Sequence, residues 1–180
     1  MAEIFMVSDT HFGDKGAIMR YEGRPFKSGR EMDETLVRNW NETVGSADTV
    51  YHLGDVAWNM EKEELKILVG KLNGRKILIQ GNHDMNYSVR EWMEIGFEEV
   101  YPLPVVLEGF FMLSHEPMYV SSYSPYANIF GHVHGNPMYR DKSGHSFCAC
   151  VERIGYRPMP FDTIKKEMSC CQTAEEGIKE

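Results

Sequence analysis

The sequence predicts a layered α/β fold with mixed sheets, and three observations carry the prediction. Apolar and β-branched runs of strand length recur along the chain, helical periodicity fills the gaps between the early ones, and the second half switches to a hairpin pattern. Ile4–Val7 is a continuous apolar run, as expected of a strand covered on both faces. Residues 31–40 then place Met32, Leu36 and Trp40 at four-residue spacing and predict a long helix. Residues 49–53 form the second strand, followed by a helix over 61–72 with Leu65, Leu68, Val69 and Leu72 on one face and Gly74 beyond its end. Residues 76–79 supply a third strand, and 88–95 a helix that Ser88 can cap and Gly96 can stop. This alternating order implies parallel strands joined by helical crossovers. Val105–Leu107 and residues 110–113 flank Glu108-Gly109, a tight-hairpin signal. Strands at 128–130 and 147–151 and a short closing helix at 162–168 complete the expectation, with residues 169–180 a polar, fraying tail.

The 180 residues suffice for one domain with a substantial core and are short for two, so a single domain is expected over residues 1–168. A hydrophobic fraction of 42% and a charged fraction of 26% are those of an ordinary globular protein. The formal charge of -8 argues against an extended nucleic-acid-binding surface. It leaves a nucleotide-like substrate open, because divalent cations make a pocket electropositive even inside an acidic protein. Cys148 and Cys150 lie two apart on a strand-like run and should share one packed face, while Cys170 and Cys171 fall in the tail; neither pair has zinc-finger spacing. Such usage suits a reduced, cytoplasmic protein, and Ile4–Val7 is too short for the apolar region of a signal sequence. No apolar run approaches the roughly 20 residues of a membrane span. No membrane partner is expected, and the oligomeric state stays open.

Chemistry enters at the strand ends. Asp9 and His11 stand in Val7-Ser8-Asp9-Thr10-His11, Asp55 in His52-Leu53-Gly54-Asp55, and Asn82 in Gly81-Asn82-His83-Asp84. His115 stands in Ser114-His115-Glu116-Pro117, and His132 with His134 in Gly131-His132-Val133-His134. Loops at the carboxyl ends of strands collect on one rim in such folds, so five strand ends would deliver ligands to a shared place. Each motif alone has an ordinary explanation as a turn or a solvated histidine; the joint order of all five does not. Carboxylate, imidazole and amide oxygen together suit manganese, iron, zinc or nickel better than magnesium or calcium. Two such ions roughly 3.5–4 Å apart clamp the attacking and leaving oxygens of an in-line displacement at phosphorus.

The series D-x-H, G-D, G-N-H-D, a lone H and G-H-x-H resembles the calcineurin-like metallophosphoesterases, over about residues 4–164, and the small size resembles their prokaryotic and phage members. That resemblance implies a four-layer α-β-β-α sandwich of two mixed sheets flanked by helices. It also implies two divalent metal ions: one held by Asp9, His11, Asp55 and His134, the other by Asp55, Asn82, His115 and His132, with Asp55 as the bridge. A metal-bridging hydroxide would be the nucleophile. His83 matches the family's general acid, and Asp84 the carboxylate that orients it through its second ring nitrogen. The implied activity is hydrolysis of a small phosphoester or nucleotide-like substrate, a phosphodiester ahead of a phosphomonoester. A non-catalytic scaffold on the same fold is the alternative, which the intact motif set disfavours.

Residues 13–30 carry Arg20, Arg24, Lys27 and Arg30 with Tyr21 and Phe26, a basic and aromatic segment able to close over a phosphate. Arg24, fixed before Pro25, is the candidate substrate contact. His52 reads as a packed strand histidine, His145 as an exposed turn residue, and Trp40, Trp58 and Trp92 as core or rim. Tyr156-Arg157-Pro158 receives no catalytic role.

Overall fold

Apolar runs of three to five residues become the central strands of two five-stranded sheets in the computed structural model, which describes residues 2–121, 123–139 and 142–176. The first sheet has β1 (Ile4–Val7), β2 (Thr49–His52), β3 (Arg75–Ile79) and β4 (Glu99–Tyr101) in parallel, with β10 (Met159–Pro160) antiparallel at the β1 edge. In the second, β6 (Phe111–Leu113), β7 (Ala127–Phe130) and β9 (Ser146–Cys148) run parallel. Antiparallel edges β5 (Val105–Leu107) and β8 (Lys142–Ser143) close it. Helices α1 (Ala17–Tyr21), α2 (Gly29–Thr43), α3 (Lys62–Val69), α4 (Val89–Ile95) and α5 (Phe161–Glu176) flank the sheets. This is the layered sandwich of two mixed sheets that the sequence predicts.

One apolar cluster joins both sheets to the helices. Phe5, Val7, Val50 and Leu78 from the first sheet meet Leu113, Ile129 and Phe147 from the second, with Leu36, Trp92 and Phe161 sealing the outer faces. Full burial of each such side chain contributes about 1.5–3 kcal/mol, so this cluster fixes the relative position of the strand ends. A parallel bridge between Ser8 and Cys150 extends β1 and β9 toward each other and ties the sheets beside those ends.

Helix boundaries follow their caps. Ser28 accepts a hydrogen bond from the Glu31 N–H to start α2, and Ser88 with Glu91 forms a reciprocal capping box at α4, which Gly96 ends at φ 133. The helix predicted over 61–72 stops at Val69, and Lys71 and Leu72 make tighter turn bonds to Leu68 and Val69 carbonyls. The closing helix runs past Met168 to Glu176, through most of the segment read as a fraying tail. Gln172, Ala174, Glu175 and Glu176 are good helix formers, so a polar composition there does not stop the helix. Residues 177–180 and the side chain of Cys171 lie outside the described residues. Strands β4, β8 and β10 and helix α1 escape the sequence reading because two to five residues are too few to show a period.

Candidate metal centre

The loops after β1 and β2 are zipped together by their backbones. Asp9 N–H donates to Gly54 O (3.0 Å), His11 N–H to Asp55 O (3.1 Å) and Phe12 N–H to Val56 O (2.9 Å), while Ser8 Oγ donates to Leu53 O at 2.9 Å. Asp9, His11, Asp55, His132 and His134 all have φ between 47° and 69°. That left-handed region costs an ordinary residue about 1–3 kcal/mol. Aspartate and histidine stand where the backbone favours glycine, so the side chains carry the reason for those residues. Two neighbouring positions show the converse. A Cβ on Gly131 would collide with Ser8 Oγ and the Asp9 carboxylate, and one on Gly81 with the Asp55 carboxylate, so both loops close on carboxylates through glycine.

Six of the seven predicted ligands fall into two groups with converging donor atoms, and the seventh, Asn82, adjoins the second. Asp9, His11 and His134 form the first. Asp9 Oδ1 lies 3.8 Å from His11 Nε2 and 3.5 Å from His134 Nε2, and the two imidazoles stack at 5.1 Å. Asp9 Oδ2 is engaged by the His132 N–H (2.8 Å) and Cys150 Sγ (3.3 Å), but Oδ1 and both His11 ring nitrogens are buried with no partner. Asp55, His115 and His132 form the second. His115 Nδ1 donates to Leu53 O at 2.8 Å, which leaves Nε2 as a lone pair. That Nε2 lies 3.0 Å from Asn82 Oδ1, 3.1 Å from His132 Nδ1 and 3.5 Å from Asp55 Oδ1. Asp55 turns its other oxygen to His11 Nε2 at 3.6 Å, so it faces both groups with one oxygen each.

Buried acceptors gathered without donors are costly unless a cation sits among them. The donor set therefore fits divalent cations of mixed oxygen and nitrogen preference, and Asp55 faces both groups. The electrostatics agree. Burial raises the Asp9 pKa, but the charges of His134, His115 and His11 outweigh it and hold the carboxyl at about 2. Burial drives His11 well below its usual value despite Asp9, which keeps it a neutral ligand. His134 goes the other way: burial opposes, yet the Glu152 hydrogen bond and the charges of Asp9 and Glu152 lift it to about 9. A cation at this group must displace that proton.

His83 and Asp84 do not pair as the sequence suggested. Asp84 is fully buried and accepts from the backbone N–H groups of Asp55 (2.8 Å), Gly81 (2.8 Å) and Val56 (3.0 Å). It braces the two loops instead of orienting the His83 ring, because the tight turn at Asn82–Asn86 aims it back into the protein. Burial, with the Asp55 charge, pushes its pKa to about 7 against those N–H bonds. The His83 ring stands at the open side, 37% exposed, with Nε2 3.9 Å from Asp55 Oδ2. Its backbone N–H holds Asp55 Oδ1 at 2.9 Å, and its ring rests on Trp58 with centroids 4.5 Å apart. Trp58 also meets the His11 ring edge at 5.8 Å and walls the site, a place at the rim.

Arg24 is not placed to touch substrate. It is 4% exposed, and its guanidinium donates to Glu152 Oε1 (2.8 and 2.6 Å), Asp9 O (2.6 Å) and Thr10 O (3.0 Å). Phe26 packs on Tyr156 and the core, and Arg20 donates to Gly16 O, so much of segment 13–30 serves its own fold. Glu152, absent from the sequence reading, accepts from His134 Nδ1 at 2.9 Å. The available signal was its place: it follows β9 as the predicted ligands follow their strands. His52 is a packed strand histidine, bonded to Thr10 Oγ1 at 2.9 Å and stacked on Trp40. His145 is half-buried, because its turn folds against β7, where its carbonyl accepts the Asn128 N–H. Cys148 and Cys150 share a buried face with Phe130 and Val133, with sulfurs 3.3 Å apart. Two cavities adjoin the groups. One of about 540 Å³ is lined by Tyr21, Glu22, His132, His134 and Tyr139, the other of about 320 Å³ by Asn82, His115, Met85, Leu103 and Met118.

The model of the calcineurin-like phosphoesterases matches residues 2–163. The chain is 34% identical to the uncharacterized protein MJ1445 of Methanocaldococcus jannaschii, over 92% of this chain and 91% of that one. It is 37% identical to the gene 66 protein of Mycobacterium phage L5 over 47% of this chain and 41% of the phage protein. Among solved structures, a protein of unknown function from Aquifex aeolicus superposes with a TM-score of 0.69 at 28% identity, covering 92% of this chain and 99% of that one.

Proposed function

Because the chain belongs to the calcineurin-like phosphoesterases, we propose that it hydrolyses a small phosphodiester, in preference to a monoester, at a centre of two divalent cations. The observation that carries this reading is Asp55, which turns one oxygen to each of two groups of converging donor atoms, the first with Asp9 Oδ1 and both His11 ring nitrogens unpartnered. Asp9, His11 and His134 would hold one cation, Asn82, His115 and His132 the other, and Asp55 would join them. When bound, the cations neutralise charge on the phosphoryl oxygens and acidify a water for attack.

The remaining work falls to the protein. Attack by water oxygen forms one P–O bond as the ester P–O bond breaks, and the leaving alkoxide takes a proton from the His83 ring. His83 suits this because its ring stands at the open side and belongs to neither group of converging donors. Trp58 limits its swing. Two features favour a diester. Arg24 has its donors engaged inside the protein and offers none to a monoester's second charge. The two cavities leave room for two substituents on phosphorus, one of them apolar beside Met85, Leu103 and Met118. No described helix is long and apolar enough to cross a membrane, and the free Cys148 and Cys150 suit a reducing, cytoplasmic location.

The test is a panel of bis-p-nitrophenyl phosphate, p-nitrophenyl phosphate, linear diesters and cyclic nucleotides, each with manganese, nickel and zinc. Faster diester turnover is expected. Protein that binds two metals yet cleaves no ester would favour the scaffold reading.

A further inference from the structure

Glu152 sits at the sixth strand end of the site and is built into it from both sides. Its Oε1 accepts from His134 Nδ1 at 2.9 Å and from Arg24 Nε and Nη2 at 2.8 and 2.6 Å, with the Glu152 side chain 7% and the Arg24 side chain 0% exposed. A carboxylate only accepts, so a proton lies on His134 Nδ1, and Nε2, 3.5 Å from Asp9 Oδ1, is the nitrogen that a cation takes once its own proton is displaced. The same guanidinium holds the carbonyls of Asp9 and Thr10. One buried ion pair thereby ties the turn carrying Asp9 and His11 to the side chain of His134. Arg153 secures the backbone of that loop, donating to the carbonyls of His134 and Asn136.

We infer that Glu152, charge-balanced by Arg24, is a positioning residue that fixes the His134 tautomer and thereby sets the affinity of the Asp9, His11 and His134 group for its cation. This rests on the reading of that group as a metal site. Glu22, His134 and Glu152 also converge as a set of possible donors, but Arg24 Nη2 against Glu152 puts a fixed cation where a metal would have to sit. The pair acts on His134 and leaves the second group alone, since His115 takes its orientation from the Leu53 carbonyl.

The experiment titrates manganese into metal-free protein by calorimetry and records the His134 ring nitrogens by long-range proton–nitrogen correlation in zinc-loaded protein. Wild type should bind two ions and show His134 protonated at Nδ1. E152Q should weaken one of the two sites by about 10- to 100-fold, leave the other unchanged, and alter the His134 nitrogen pattern. Because removing one partner of a buried pair can unfold a protein, the double variant R24M/E152L, which leaves no unpaired charge, should show the same selective loss. Two tight sites with an unchanged ring pattern in E152Q would overturn the inference. So would equal weakening of both sites with a lowered Tm of the metal-free protein, since the pair would then be structural. Wild-type protein that binds no metal would instead defeat the metal-site reading itself.

Discussion

The two donor groups lie side by side, yet they are held in place by different physics. The first, with Asp9 and His11 fully buried, is backed by charge: the Arg24 and Glu152 pair grips both His134 and the Asp9 turn. The second, where Asn82 and His132 face solvent, is held through backbone groups: a carbonyl orients His115, and backbone N–H groups of the loops beneath are gathered on the Asp84 carboxylate. Charged backing is directional and strong in a low-dielectric site but fails abruptly when one partner is lost. Backbone backing survives most side-chain changes and yields only when the loops themselves move. The shared Asp55 is where the two schemes meet.

Asp55→Ala should therefore have the largest effect, lowering kcat on the order of 10⁴-fold and reducing bound metal at both groups, because it removes the one side chain that faces each. Asp9→Ala serves as the contrast and should retain one ion per chain by elemental analysis. If Asp9→Ala loses both ions, the groups are not separable and the comparison fails. Next in size, His83→Ala should lower kcat by about 10²- to 10³-fold with metal content unchanged, since its ring takes no part in either group. Loss of metal in that variant would make the His83 ring structural, through its packing against Trp58 and His11.

The same division explains what could be read from the amino acids. The strand-end motifs were legible because each is local: an apolar run, then a ligand-rich turn whose spacing survives in one dimension. The parallel strands β1, β2 and β3 and the capped helix α4 were legible for the same reason. Charged backing is not local. Arg24 and Glu152 meet across 128 residues of sequence, so the sequence alone leaves Arg24 a loop cation free to bind phosphate. Asp84 misled in the opposite way, because adjacency to His83 suggested a ring contact that the turn geometry forbids.

Backbone backing can be probed directly. Asp84→Ala leaves the N–H groups of Asp55, Val56 and Gly81 without their acceptor in a dry interior. Unsatisfied buried donors cost about 1–3 kcal/mol each and are not additive, so a loss of about 3 kcal/mol in denaturant unfolding is expected. A change below about 1 kcal/mol would show that water replaces the carboxylate and that the loops are not braced as described.

The smallest effect tests whether the charged, buried half also carries a pH liability. Thr10, between Asp9 and His11, donates its hydroxyl proton to Val56 O at 2.8 Å, so at its 2.9 Å contact it must accept from His52 Nε2. The proton of neutral His52 is therefore on Nε2, and Nδ1 is buried with no partner. Burial lowers the His52 pKa to about 3, against the partial support of Asp9. The folded pKa is depressed, so the unfolded chain takes up a proton that the folded one refuses. The resulting contribution is intact above about pH 6.5 and is lost progressively as pH falls toward 3. At pH 5 it amounts to about 2 kcal/mol of lost stability relative to pH 7. His52→Gln keeps an N–H for Thr10 but cannot titrate, so its denaturant midpoint should fall less between pH 7 and pH 5 than that of wild type. Parallel pH profiles for the two proteins would locate the acid sensitivity elsewhere and remove the liability from the buried half.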